Sequence, residues 1–442
     1  MSKSKVLIIS PPFFSQIGPL LTLAGEFSRA GHETSVACAE AFAAEIRSRG
    51  LRFIELSVSR NANTGIAGRT RQPRSERRRL QAFLAASRRG AVETLMIQSA
   101  HRKHDMFADP SGLLARLEEI AAGLKPDLWI VDQLSYGVTL ALYLLKQRFI
   151  TFCPGHPSSI PEPGDLFGVP PYWPAAVRPD PAALAGLRKL AARVEHRFSR
   201  RMNAIRRRIA PQAPRIDSAF RLCSPEAVIY NYPRFPYPES RFTDGRSVYM
   251  GYCFSEQSLS PEWREKMSAW TDRRPKILIA FGTFLAARTD VIRACIEVLR
   301  GAYPRALIIA AASGEAESLG DLTSETVCIE PFVPQAALLP SMDLLIHHGG
   351  CNSFTEALYF GKPMILLPFS SDQFAIAADA EKMGIGRSLD PNRFSSRELS
   401  GLVAESLERE NPALRSWPDV VRRHGPGWAV GRIDLKTGEG AG

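Results

Sequence analysis

What this chain lacks narrows its function first. No Asp-x-Asp pair occurs, so a divalent ion clamping a diphosphate would find no obvious carboxylates, and no metal site is expected. No Gly-x-Gly-x-x-Gly follows the first apolar run, where a nicotinamide-dependent oxidoreductase would carry its phosphate loop. The seven cysteines (Cys38, Cys153, Cys223, Cys253, Cys295, Cys328 and Cys351) are odd in number, scattered, and never spaced as Cys-x-x-Cys. They read as reduced thiols of a cytoplasmic protein, with neither a zinc site nor a disulfide framework. No apolar run approaches the roughly 20 residues of a membrane span. The opening MSKSKVLIISPPF has too short an apolar core for a signal peptide and reads as the first buried strand. Basic residues do not interleave with aromatics in a recognised motif, so nucleic acid is not an expected partner.

What is present points to two domains. A chain of 442 residues is too long for one ordinary core and suggests two units of about 200 residues. The net charge of +11 is concentrated in residues 69–89 and 187–209. In the second stretch Leu187, Leu190, Val194, Phe198, Met202, Ile205 and Ile209 recur at helical spacing, with arginines on the other faces. That stripe fits a surface helix docked on its own domain. The arginines equally fit a peripheral contact with an acidic membrane, at its inner face.

Apolar runs of strand length alternate with helical patterns. Strands at 5–9, 33–39, 126–132 and 149–152, with helices at 20–30 and from 136, form one alternation, and 154–181 is a loop dense in proline and glycine. The pattern breaks at YNYPRFPYP near residue 230. It restarts with strands at 276–281, 306–310, 327–329, 344–347 and 364–367 and helices at 291–303, 353–360 and 374–383. The fold class is therefore α/β, two doubly wound parallel-sheet domains facing across a cleft. The expected boundaries are 1–235, a linker at 236–274, a second domain at 275–410, and a tail at 411–442. In such sheets ligands lie beyond the carboxyl ends of the strands.

Chemistry collects at those ends in residues 343–386. A buried strand ends in HHGGCNS and opens directly into a helix. Glycines let the backbone approach a ligand, and free amides at the helix start favour an anion. His348 can donate a hydrogen bond to a phosphate. Glu356 lies on the first turn, where it serves a ligand hydroxyl pair or complements the helix dipole. Asp372 and Gln373 follow the next strand and suit sugar hydroxyls.

This segment resembles the donor-binding signature of the UDP-glycosyltransferase superfamily, with its H-x-G-x-N-S-x-x-E core and terminal D-Q. Residues 332–335, FVPQ, are similar to the family's W/F-x-P-Q element, and AFGT at 280–283 to its S/A-F-G-T turn. PPFFSQ and IVDQ in the first half resemble the bacterial zeaxanthin glucosyltransferase branch. The resemblance spans the whole chain and implies a GT-B fold, two Rossmann-like domains with a final helix returning to the first. It implies that Phe332 stacks on the base, that Val333 and Gln335 hydrogen-bond it, and that Glu356 holds the ribose. Gly282, Thr283, His348, Gly350, Asn352 and Ser353 would hold the diphosphate, and Asp372 and Gln373 would read the sugar. The implied co-substrate is a UDP-hexose, with no separate cofactor. Phe13, Phe14, Tyr136, Phe167 and Trp173 are candidate walls for a small, lipophilic acceptor.

One position departs from the family. Its catalytic histidine falls on Gln16, and a carboxamide takes no proton near neutral pH. Asp132, aligned with the family's orienting aspartate, could act as base itself; the acceptor could be acidic already; or His156 could supply the base from the next loop. The expected reaction is inverting transfer of a hexose, glucose first among candidates, from UDP to a natural-product or carotenoid-like acceptor. The competing reading is a non-catalytic sugar-nucleotide-binding activator of a partner transferase, marked by Gln16.

Overall fold

The computed structural model describes residues 3–59, 62–65, 73–105, 110–236, 246–408 and 411–433. Two sheets carry the chain, and every strand pairs parallel with its neighbours. The first holds β1 (Lys5–Ile9), β2 (Glu33–Cys38), β3 (Arg52–Glu55), β4 (Leu128–Asp132), β5 (Phe149–Cys153), β6 (Val228–Tyr230) and β7 (Ser247–Tyr249). Their order is β3-β2-β1-β4-β5-β6-β7. The second holds β8 (Lys276–Ala280), β9 (Leu307–Ala311), β10 (Val327–Glu330), β11 (Leu344–His347), β12 (Met364–Leu366) and β13 (Arg387–Ser388). Their order is β10-β9-β8-β11-β12-β13.

The central strands read as unbroken apolar runs because helices cover both faces. In β1, Val6 and Ile8 enter one core while Leu7 and Ile9 enter the other. In β8, Ile277 and Ile279 face one side and Leu278 the opposite side. Register then sets the site: His347 pairs with both Ala280 and Leu366. The turns after β8, β11 and β12 therefore leave the second sheet side by side.

Three sequence expectations shift. The first helix runs Phe14–Arg29, six residues earlier than its pattern suggested, with Pro19 inside it. Proline has no N–H, so the carbonyl of Ser15, four residues back, has no helical donor. Asn352 of the second domain supplies one, its Nδ2 donating at 2.9 Å. Strand β7 lies inside the stretch read as linker and completes the first sheet; residues 237–245 fall outside the described residues. The basic stretch at 187–209 belongs to a 29-residue helix, Pro181–Ile209, started by Asp180, whose carboxylate accepts from Ala183 N at 2.8 Å. Leu187, Phe198 and Met202 bury its stripe, and Arg193, Arg197, Arg200 and Arg207 face solvent. The other basic stretch contains the helix Arg74–Ser87, and residues 66–72 lie outside the described residues. No helix among the described residues is long and apolar enough to cross a membrane.

The chain ends by returning. Helix Pro412–Arg423, capped by Asn411, sets Trp417 against Phe235 with ring centroids 4.8 Å apart. Gly251 permits this approach, since a Cβ there would sit 2.6 Å from the Val421 backbone. Helix Pro426–Arg432 then packs on Phe14–Arg29, and Ala429, Val430 and Ile433 join the first domain's core. Between the domains, Arg288 is buried: Nη1 donates to Ser87 O at 2.7 Å, and Nη2 to Asp290 at 2.8 Å and to Asn392 at 2.8 Å.

Candidate active site

At the end of β11 the chain turns through Gly349, at φ +81°, and enters the helix Cys351–Tyr359 from Gly350. No side chain caps that helix, so its first amides are free to meet an anion. His347 points inward, its Nδ1 accepting from Gly349 N at 3.2 Å, and shapes the turn. The His348 ring lies between two glycines. A Cβ on Gly282 would sit 3.0 Å from the ring and one on Gly350 2.4 Å from its Nε2. The glycines read as room for a phosphate are thus also room for this imidazole. Burial lowers the His348 pKa to about 4, so the ring is neutral at ordinary pH.

Two turn-ends converge beside it. Gln335 Nε2 donates to Glu356 Oε2 at 2.6 Å and to Ser353 Oγ at 3.0 Å. Burial pushes the Glu356 carboxyl up to about 7 against that amide's pull in the other direction. Val333 is buried, whereas Phe332 is 61% exposed and meets the edge of Phe14, 41% exposed, at 6.3 Å. The candidate base-stacking ring and a candidate acceptor wall therefore face each other. The remaining donor candidates touch the first domain. Thr283 Oγ1 accepts from Asn63 Nδ2 at 2.8 Å, Asn352 Oδ1 accepts from Asn231 Nδ2 at 3.1 Å, and Asp372 Oδ2 accepts from His156 N at 2.8 Å. Gln373 Oε1 accepts from Phe369 N at 2.9 Å and Ser370 N at 3.1 Å, bracing the turn after β12.

On the first-domain side, Asp132 closes β4 and is fully buried. Its Oδ1 accepts from Leu134 N at 2.8 Å, and Oδ2 has no partner. Burial raises its pKa to about 7, the amide of Leu134 working against the rise. Gln16 sits in the first turn of Phe14–Arg29, its buried Oε1 also without a partner. Neither atom engages the other, so the glutamine does not orient the aspartate as a histidine–aspartate pair would.

Three sequence readings change here. His156 is buried, with Nδ1 engaged by Ser158 and Nε2 by Asp379 at 3.0 Å and by Tyr172 at 3.1 Å, so it presents no free nitrogen to an acceptor. Tyr136 and Phe167 are interior to a first-domain aromatic cluster with Phe220, where Phe167 stacks at 4.4 Å. Trp173 packs on Phe374 of the second domain at 4.8 Å. Tyr136 and Phe167 are buried packing and line no open wall, the part-buried Trp173 joins the domains, and Phe13 and Phe14 remain at the cleft. Sequence reading missed Asn63, Asn231, Gln98 and Asp379, polar residues outside the motif positions themselves, whose partners lie more than 100 residues away.

Two facing parallel-sheet domains with a nucleotide-type turn at the end of β11 define a GT-B protein. Residues 301–423 match the family described as erythromycin biosynthesis protein CIII-like, C-terminal domain. Demethyllactenocin mycarosyltransferase of Streptomyces fradiae is 28% identical over 58% of this chain, a match spanning about half of that relative, 52%. The NDP-glycosyltransferase YjiC of Bacillus subtilis (strain 168) is 23% identical over 93% of this chain and 91% of its own. The spinosyn rhamnosyltransferase SpnG, solved with thymidine diphosphate, superposes with a TM-score of 0.64 over 96% of this chain and 98% of its own, at 16% identity. The chain has the GT-B fold and is similar in sequence to glycosyltransferases.

Proposed function

We propose that the chain transfers a hexose from a UDP-sugar to a small lipophilic natural-product acceptor, with inversion and without a metal. The observation that carries this is the end of β11, where an uncapped helix start and a neutral imidazole adjoin the helix that carries Glu356, itself bonded to Gln335. The helix amides and His348 would take the diphosphate charge, and buried Glu356 would accept from ribose hydroxyls. Asp132 would remove the acceptor proton. The freed oxygen attacks the anomeric carbon opposite the diphosphate, and the leaving bond's electron pair departs with UDP. Gln16 would orient the acceptor without taking its proton. The exposed arginines of Pro181–Ile209 would suit an acidic membrane surface from which a lipophilic acceptor is drawn.

The test is UDP release from UDP-glucose, UDP-galactose and dTDP-glucose against a panel of alcohols, phenols and carboxylic acids. Turnover with a UDP-hexose supports the reading, and preference for the dTDP donor overturns the choice of nucleotide. Tight UDP-sugar binding with no turnover on any acceptor returns the activator reading.

A further inference from the structure

His156, displaced from the role of base, grips the second domain at two points. Its backbone N–H donates to Asp372 Oδ2 at 2.8 Å, and its ring Nε2 lies 3.0 Å from Asp379 Oδ2. Asp372 precedes the helix Gln373–Lys382 without capping it, and Asp379 lies seven residues on, two turns along the same face. Tyr232, also from the first domain, donates its hydroxyl to the same Asp379 oxygen at 2.7 Å. Ser158 N donates to His156 Nδ1 at 3.1 Å, which leaves the ring hydrogen on Nε2, aimed at Asp379. His156, Tyr232 and Asp379 are each 0–1% exposed. Gly155 completes the approach: a Cβ there would lie 2.2 Å from Asp372 Oδ2.

We infer that His156, Asp379 and Tyr232 form a positioning clamp that sets the rotation of the Gln373–Lys382 helix, and with it the aim of Asp372 at the donor's hexose. The clamp determines sugar specificity without touching the sugar. It rests on the reading of Asp372 as the hexose-facing carboxylate. Buried Phe374, Ile376, Ala377 and Ala380 pack the helix in place, and the two His156 bonds, at 372 and 379, fix the small rotation that apolar packing leaves open. A turn of the helix would move Asp372 relative to the hexose while leaving the nucleotide's contacts at the end of β11 and at Glu356 in place.

The experiment separates nucleotide from sugar. Asp379→Asn, and Tyr232→Phe as the variant that removes a single hydroxyl, are titrated calorimetrically with UDP and with UDP-hexose. Expected is UDP affinity within about twofold of the parent, with UDP-hexose affinity and the preference for the favoured hexose over its C4 epimer each reduced about tenfold. Tyr232→Phe should move the same two quantities in the same direction by less. Equal loss for UDP and UDP-hexose in a folded variant, or no loss for either, overturns the clamp. If the parent protein fails to bind UDP at all, the nucleotide reading itself falls, a result distinguishable from these.

Discussion

Asp132→Asn tests the chemistry most directly. The substitution keeps the shape and the bond from Leu134 N but removes the only first-domain carboxylate at the end of β4. General-base catalysis contributes about 10²–10⁴-fold, so kcat for an alcohol acceptor should fall by that factor. Because burial holds the parent carboxyl at about 7, kcat at saturating donor should rise with pH through that value and level off above it. The same burial has a stability signature of definite sign. Unfolded, the carboxyl ionises near 3.8; folded, it keeps its proton to about 7. Between these values the folded state binds the extra proton, so stability falls as pH rises through the window and stays low above it. At 1.36 kcal/mol per pKa unit, the ionised folded protein bears a penalty of about 4 kcal/mol. Asp132→Asn should therefore be slower yet more resistant to urea at pH 8, and no more resistant at pH 4. A variant within fivefold of the parent on alcohols, together with a flat kcat profile from about pH 5 to 9, would refute the assignment of Asp132 as base.

Other consequences can be measured separately. Since ribose hydroxyls are held better by an ionised acceptor, affinity for UDP-glucose, which has no phosphate titrating near neutrality, should strengthen as pH rises through about 7 and lose that dependence in Glu356→Gln; unchanged pH dependence would remove the ribose contact. His348→Ala should lower kcat about 10²-fold, as loss of one donor to a leaving group does, and UDP titration with turnover would show it. Arg288→Ala leaves the half-exposed Asp290 to water and the Ser87 carbonyl to Asn392 Nδ2 alone, so urea unfolding should lose about 1–3 kcal/mol. An effect below about 1 kcal/mol would reduce that contact to packing.

What the sequence made legible was whatever a single segment determines. KVLII, LWIVD and KILIA read as strands because burial on both faces leaves only apolar side chains in the middle of a parallel sheet. HHGGCNS read as a ligand turn because its glycines and the helix behind it are contiguous. The start of the first helix was hidden because Pro19 is a helix breaker in isolation. Among the described residues the side chain of Asn352, 337 residues away, supplies a donor to the carbonyl that Pro19 leaves open. Tyr136 and Phe167 looked like pocket walls for a similar reason. An aromatic at a helix start or in a loop carries no mark of whether a second aromatic covers it, and Phe220 does.

The cross-domain bonds also constrain how a donor arrives. Thr283 already accepts from Asn63, and Asn352 already donates to Ser15 and accepts from Asn231. Replacing a neutral hydrogen bond of about 1 kcal/mol by a charge-assisted one to pyrophosphate, about 1.5–3 kcal/mol, favours the nucleotide at each position. Ser15, however, precedes Gln16 directly, and its carbonyl has Asn352 as its donor because Pro19 cannot serve. The Asn352 amide nitrogen carries two hydrogens, so it can hold the Ser15 carbonyl and a diphosphate together, which sets the proposed donor site against the turn that carries Gln16 and Phe14.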